Sequence, residues 1–355
     1  MNRRLRKFLL PALAATFGLA LACLATELLL RVVDPIGLNY DREFQRYRNE
    51  ALTFDWDGKD LATFDFEGRL FRHKPNLDLQ LGSFRLRTNS LGFRGNAVSE
   101  QKPEGAFRVL VLGDSVAFGW GVDEAATFLR RFEAEWNTTN ARQIEVVNAG
   151  HLVYDSVQEW ALLRDQGLAL QPDLVLLVYV VNDIEPSRDI VEEGLGRRLP
   201  DPKEAVPDAG DFYTRVAPWL RSVGMHATAE LVLLQSDPKA RFLAATPSGT
   251  TYEPEQFGHG PRGWPRSQAA LLAMRDACRE RSIPFVVLDH TLPVLRPLPT
   301  FCAQSAIPCE DFHFTAEELH QPIYNSAKDT HANARGNELL LQKRRRIAEQ
   351  LPLPR

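Results

Sequence analysis

One junction constrains this chain more than any other: residues 107–121, reading FRVLVLGDSVAFGWG. The run Val109-Leu110-Val111-Leu112 is apolar without alternation and stops at Gly113-Asp114-Ser115. A continuous apolar run of this length reads as a strand covered on both faces, which is the habit of parallel sheets. In open α/β sheets, ligands bind outside the carboxyl ends of the strands. The junction therefore delivers a serine to the place where a nucleophile would be useful. Two more apolar runs end in small or polar residues. Ile144-Glu145-Val146-Val147 leads into Asn148-Ala149-Gly150, and residues 174–181 lead into Asn182-Asp183. Further on stands Asp329-Thr330-His331, followed by Asn333 and Gly336.

The elements around these junctions alternate. Strands are expected at 107–113, 144–148, 174–181 and 284–288, with a shorter one near 309–312. Helices are expected at 124–136, 156–169, 212–235 and 266–281. Such alternation implies an α/β fold, a doubly wound parallel sheet with right-handed crossovers and helices on both faces. Residues 185–209 are rich in Pro, Asp and Glu and read as irregular. The stretch 185–263 is longer than a crossover needs; such an insertion reads as a lid, a substrate wall or a mobile surface loop.

Serine, glycine, asparagine and histidine thus appear in the order that resembles the SGNH (GDSL-type) family of serine esterases and acyltransferases, in its membrane-anchored bacterial form. Gly113-Asp114-Ser115 matches the first block and Asn148-Ala149-Gly150 the second. The third, usually Gly-x-Asn-Asp, is present as Val180-Val181-Asn182-Asp183. In the fourth, usually Asp-x-x-His, Asp329 stands two residues before His331 instead of three. The resemblance covers roughly residues 106–350 and implies the family's flavodoxin-like three-layer sandwich. It also implies Ser115 as nucleophile, His331 as its base and Asp329 as the orienter of the base. The oxyanion hole it implies comprises the backbone N–H of Ser115 and of Gly150 with the Asn182 side chain. A serine hydroxyl needs such a base, and the tetrahedral intermediate needs such preorganised donors. Asp114 and Asp183 read as structural hydrogen-bonders, and His151 as a surface or pocket-wall residue.

The opening residues bear on location. Arg3, Arg4, Arg6 and Lys7 precede a stretch, residues 8–30, whose only charge is Glu27. About 20 apolar residues span a bilayer, and the cations in front predict that the body lies outside the cytoplasm, periplasmic or at the outer surface. A cleaved signal peptide is the rival, with Ala20-Leu21-Ala22 as a small-residue site. The apolar run continues to Val32-Val33, which favours an uncleaved anchor. Ala22-Cys23 only faintly resembles a lipoprotein site. The chain therefore divides into 1–34 (basic start and anchor), 35–105 (an extension expected to pack on the catalytic domain) and 106–355 (catalytic domain with the 185–263 insertion).

Within the extension, residues 55–58 read as a loop, 84–89 alternate like a strand and 90–95 read as a turn. Membrane-anchored SGNH-like proteins often carry a similar Asn-x-x-Gly-Phe-Arg-Gly stretch. Asn89 and Arg94 could line the cleft or hold it together, the second being the simpler role. The basic run Gln342-Lys343-Arg344-Arg345-Arg346 reads as a solvated helix end. A net charge of −4 over 355 residues gives no nucleic-acid footprint. No cofactor or metal is expected: no Cys/His spacing suggests zinc, and the glycines near Ser115 lack a P-loop lysine. Cys278 reads as a packed thiol, while Cys302 and Cys309 could be a disulfide or two free thiols.

The expected activity is hydrolysis of an acyl, preferentially acetyl, ester on an extracytoplasmic substrate through an acyl-serine. The ester could sit on an acylated glycan or lipid. Two alternatives use the same residues differently: an O-acyltransferase acting on a cell-envelope glycan, and an inactive domain that binds glycan.

Overall fold

The computed structural model describes residues 3–34, 37, 39–54, 68–184, 212–234, 251–254, 260–348 and 351–354. The loop expected at 55–58 and the irregular stretch at 185–209 lie outside the described residues. The principal helices are α1 (Arg3–Val33), α2 (Ser115–Phe118), α3 (Phe128–Thr139), α4 (Ser156–Leu162), α5 (Phe212–Ser222), α6 (His226–Leu234), α7 (Gly260–Glu280) and α8 (Ala334–Ala348). The chain forms two compact units. The larger comprises Glu43–Leu199, Pro247–Asn325 and His331–Arg355; the smaller comprises Met1–Arg42, Pro200–Thr246 and Ser326–Thr330.

The larger unit is built on a parallel sheet of β1 (Phe107–Gly113), β2 (Ile144–Asn148), β3 (Leu174–Tyr179), β4 (Phe285–Asp289) and β5 (Cys309–Asp311), in the order β5-β4-β3-β1-β2. This is the doubly wound order whose direction reverses between β1 and β3, the place where such folds bind ligands. Every residue of β1, β3 and β4 is buried, the physical reason their sequences do not alternate. Val109, Val111, Leu174 and Leu176 face the layer of α3 and α8 through Phe128, Phe132, Leu339 and Leu340. On the opposite face, helices α4 and α7 pack together. Register brings the strand ends level: Val111 pairs with Asn148 and Gly113 with Val178. Two short antiparallel strand pairs, Leu52–Phe54 with Phe71–His73 and Asp78–Gln80 with Arg85–Arg87, belong to the same unit.

Several boundaries differ from the expected ones for local reasons. β3 ends at Tyr179, and Val181–Ile184 turns as a 3-10 helix. The Asp183 carboxylate closes that turn by accepting the Val180 N–H at 2.6 Å. The helix expected at 124–136 starts at Phe128, where the Thr127 hydroxyl accepts the Arg130 N–H. The helix expected at 156–169 is α-helical only to Leu162 and then widens to a π turn over Leu163–Gly167. There Gly167 passes so close to Leu110 that a Cβ would meet its Cδ2 at 2.8 Å. The helical stretch expected at 212–235 is two helices, broken near Gly224 at φ +83°.

The basic run near the end of α8 is solvated only in part: Arg345 and Arg346 are exposed, whereas Lys343 and Arg344 are buried. Arg344 is fully buried, with its guanidinium 4.0 Å from the centroid of the Phe132 ring, and burial pushes it down to about 9. Lys343 pairs with Glu318 at 2.7 Å. The long aliphatic stems fill the space between helices, a role that counting charges cannot show. Cys302 and Cys309 are free thiols, hydrogen-bonded to one another.

In the smaller unit, α1 contains Leu10–Val33, which by length and composition alone could cross a membrane as an anchor or serve as a signal sequence. Helices α5 and α6 form a hairpin around Ala217, Leu220 and Ala229.

Candidate active site

Ser115 opens α2 immediately after β1. Gly113 takes φ +141°, and a Cβ there would lie 2.8 Å from Ala117 Cβ and 2.9 Å from Val178 O, so the sharp exit from strand to helix requires glycine. Asp114 caps α2: its Oδ1 accepts the Val116 N–H at 2.9 Å, and its Oδ2 lies 3.0 Å from Ser115 Oγ. Burial holds the Asp114 carboxyl above the usual carboxylate range. Asp114 and Asp183 thus both serve as backbone hydrogen-bonders, as the sequence suggests.

His331 reaches the serine. Its Nε2 lies 2.9 Å from Ser115 Oγ, although 216 residues separate the two. The histidine's own strand-like segment is pinned by the Asn325 N–H, which donates to the His331 carbonyl at 3.0 Å, and by a bridge between Tyr324 and Ala332. The indole of Trp120, buried just past α2, lies 6.2 Å from the His331 ring. Asp329 belongs to the smaller unit. There its N–H donates to Ser326 Oγ at 3.0 Å, and its carbonyl accepts the Ser326 N–H at 3.0 Å. The cap of α8 is the Asn333 side chain, which accepts from the N–H groups of Arg335 and Gly336.

The remaining candidates sit at the same sheet edge. Asn182 lies half-buried in the turn after β3. Gly150 follows β2, and a Cβ there would sit 2.4 Å from the Phe118 nitrogen, so glycine is required for the serine helix to approach. Its N–H donates to Asn148 Oδ1 at 3.0 Å.

Asn148 and Arg94 hold α2; for Arg94 this is the structural role the sequence favours, whereas Asn148 does so beyond its place in the second motif block. Asn148 Nδ2 donates to the Ala117 carbonyl at 2.9 Å. Arg94, only 2 % exposed, donates to the carbonyls of Phe118 and Gly119 at 2.7 and 2.6 Å, and to that of Val122. Its guanidinium also lies 4.7 Å from the Phe118 ring centroid, and burial lowers it to about 10. A cation at a helix C-terminus satisfies carbonyls that have no partner within the helix. The signal in the sequence was a lone arginine in a Gly-Phe-Arg-Gly turn, which does not announce burial.

His151 is a correction. It is 2 % exposed and stacked between His73, at 4.0 Å, and Tyr154, at 4.5 Å. Burial pushes it down to about 3, so it is a neutral packing residue. Beneath the Asn182 turn lies a buried acidic pair that the sequence did not reveal. The Glu159 carboxyl hydrogen-bonds to that of Asp183, which also accepts from Ser156 Oγ at 3.2 Å. Burial and their mutual proximity push both Glu159 and Asp183 well above the usual carboxylate range, so the pair retains a proton. Among the described residues, no group of His, Cys, Asp and Glu could hold a metal ion.

No curated protein matches the chain. Among solved structures, it is similar to esterase EstA from Pseudoalteromonas sp., at 10 % identity over 68 % of this chain and 97 % of that one, with a TM-score of 0.39. A structure titled TesA is 15 % identical, over 69 % of this chain and 99 % of that one, with a TM-score of 0.39. A mutant of the acetylxylan esterase Axe2 from Geobacillus stearothermophilus is 12 % identical, over 68 % and 93 %, also at 0.39. The GDSL-like lipase/acylhydrolase family profile matches residues 111–339. That match runs from the strand before Ser115 to the helix after His331 and spans more than half of the 355 residues, so the chain belongs to the GDSL-like lipase/acylhydrolase family.

Proposed function

We propose that the protein hydrolyses an acyl ester through a covalent acyl-serine on Ser115. The observation that carries this reading is the 2.9 Å approach of His331 Nε2 to Ser115 Oγ at the carboxyl end of β1. In the first step, His331 takes the hydroxyl proton as Oγ attacks the ester carbonyl. The imidazolium then returns that proton to the leaving alcohol. Water, deprotonated by the same nitrogen, releases the acid and the free serine. Asp329 is assigned to orient the imidazole from two residues upstream.

The oxyanion is received by Asn182 together with the Ser115 N–H. Gly150 joins them to the extent that its N–H can be shared between Asn148 Oδ1 and the substrate oxygen. Helix α1 is assigned as an uncleaved anchor, with Arg3, Arg4, Arg6 and Lys7 on the cytoplasmic side and the catalytic unit outside.

The full chain in detergent should turn over p-nitrophenyl acetate. Ser115→Ala should abolish turnover, and Asn182→Ala should lower it roughly 100-fold with little change in stability, the usual cost of losing one oxyanion donor. An unaffected Ser115→Ala rate would remove the proposal. A near-normal Asn182→Ala rate would return that residue to a turn-forming role. Adding a sugar acceptor to the same assay reads out transfer in place of hydrolysis.

A further inference from the structure

We infer that the α5–α6 hairpin is a second membrane-contacting element, lying in the headgroup layer of a lipid bilayer around the outer end of α1. The inference rests on the assignment of α1 as a membrane anchor.

Apolar exposure is unevenly distributed. Among the described residues, every exposed large hydrophobic side chain lies on α1 or on this hairpin: Trp219 at 61 %, Val223 at 54 % and Leu231 at 39 % join the leucines and valines of α1. The hairpin does not lack a core, since Ala217, Leu220 and Ala229 are buried inside it. Trp219 and Val223, one helical turn apart, form a second apolar stripe that faces outward. Exposed apolar surface gathered in this way marks an interaction site.

The depth of the hairpin follows from its tether to α1. Residues 8–26 rise about 28 Å at 1.5 Å per residue, close to the roughly 30 Å hydrocarbon core of a bilayer. Glu27 therefore stands where hydrocarbon gives way to headgroups, and the six residues on to Val33 add about 9 Å through that layer. At this level α1 grips the hairpin. Glu27, 5 % exposed, accepts the backbone N–H groups of Ala227 and Thr228 at 2.8 and 3.0 Å and the Thr228 hydroxyl at 3.0 Å. Arg31 donates to Glu27 at 2.9 Å and to the Gly224 carbonyl at 3.3 Å. The carboxylate thus caps α6 from another helix, which fixes the hairpin at the depth of residues 27–31. An amphipathic indole at that depth matches the aromatic belts of membrane proteins. The occupant of the outward stripe is therefore lipid at the headgroup–acyl boundary.

The test uses the full chain reconstituted into phosphatidylcholine vesicles carrying bromine at shallow or deep acyl positions. Vesicle flotation reports the anchor separately. Shallow bromines should quench a component of the wild-type tryptophan emission that is absent from Trp219→Phe, and deep bromines should quench it less. Equal quenching of wild type and variant, with the chain still floating, overturns the interfacial hairpin while leaving the anchor standing. A Trp219 shielded from bromine in chains that cross-link as dimers overturns it in favour of a second copy. A chain that does not float overturns the anchor and this inference together.

Discussion

At the scale of single residues, the turn that carries Asn182 rests on a buried pair of carboxyl groups, Glu159 and Asp183. Ser115 and Asn182 stand just past β1 and β3, because apolar runs that stop at small polar residues advertise strand ends, whereas His331 lies in the loop before α8. Glu159 did not stand out, since a glutamate in the first turn of a helix is ordinary, and only the fold places Asp183 against it. That contact has a pH signature. The folded state holds a proton on the Glu159–Asp183 pair that the unfolded chain, with Glu159 at its ordinary value of 4.5, releases. Stability contributed by this group is therefore lost as pH rises above about 4.5. Glu159→Gln removes the loss. Chemical denaturation should find the variant more stable than wild type at pH 7.5 and without that advantage at pH 4.5. Equal destabilisation at both values would mean that Glu159 is ionised in the fold.

At the scale of elements, the strands were readable and the short serine helix was not. Four residues of α2 cannot sustain a helix alone. They are held by Asp114 at one end and by Asn148 and Arg94 at the other. Arg94 and Asn148 come from segments remote in sequence, so no local pattern could reveal the arrangement. A lysine cannot reproduce the fork that Arg94 offers to three carbonyls. Arg94→Lys should lower kcat by roughly 10- to 100-fold with KM little changed, because small displacements of a nucleophile are costly. Steady-state kinetics on a variant whose circular dichroism matches wild type reads this out. An unchanged kcat would confine Arg94 to general stability. The buried Arg344 makes the same point: its neighbours Arg345 and Arg346 are solvated, and only packing against Phe132 sets it apart from them.

At the scale of the whole molecule, strand and helix alternation pointed to the parallel sheet, since a doubly wound sheet is what alternating apolar strands and crossover helices can build; the order β5-β4-β3-β1-β2 is seen only in the fold. What alternation could not foretell is the membership of the two units. The unit containing α1 also takes in Ser326–Thr330, and Lys328 pairs there with Glu230 at 2.8 Å. A contact between residues 98 apart leaves no periodic trace. The assignment of the catalytic unit to the far side of a membrane is checked by fusing alkaline phosphatase after Arg355, which should be active in a bacterial host; an inactive fusion would reverse the topology. The central claim is the covalent chemistry of Ser115. It is tested most directly by treating the full chain with a fluorophosphonate and mapping the adduct by peptide mass spectrometry. The account predicts a single adduct on the peptide carrying Ser115 and none in Ser115→Ala. An adduct on another residue, or equal labelling of both proteins, would contradict it.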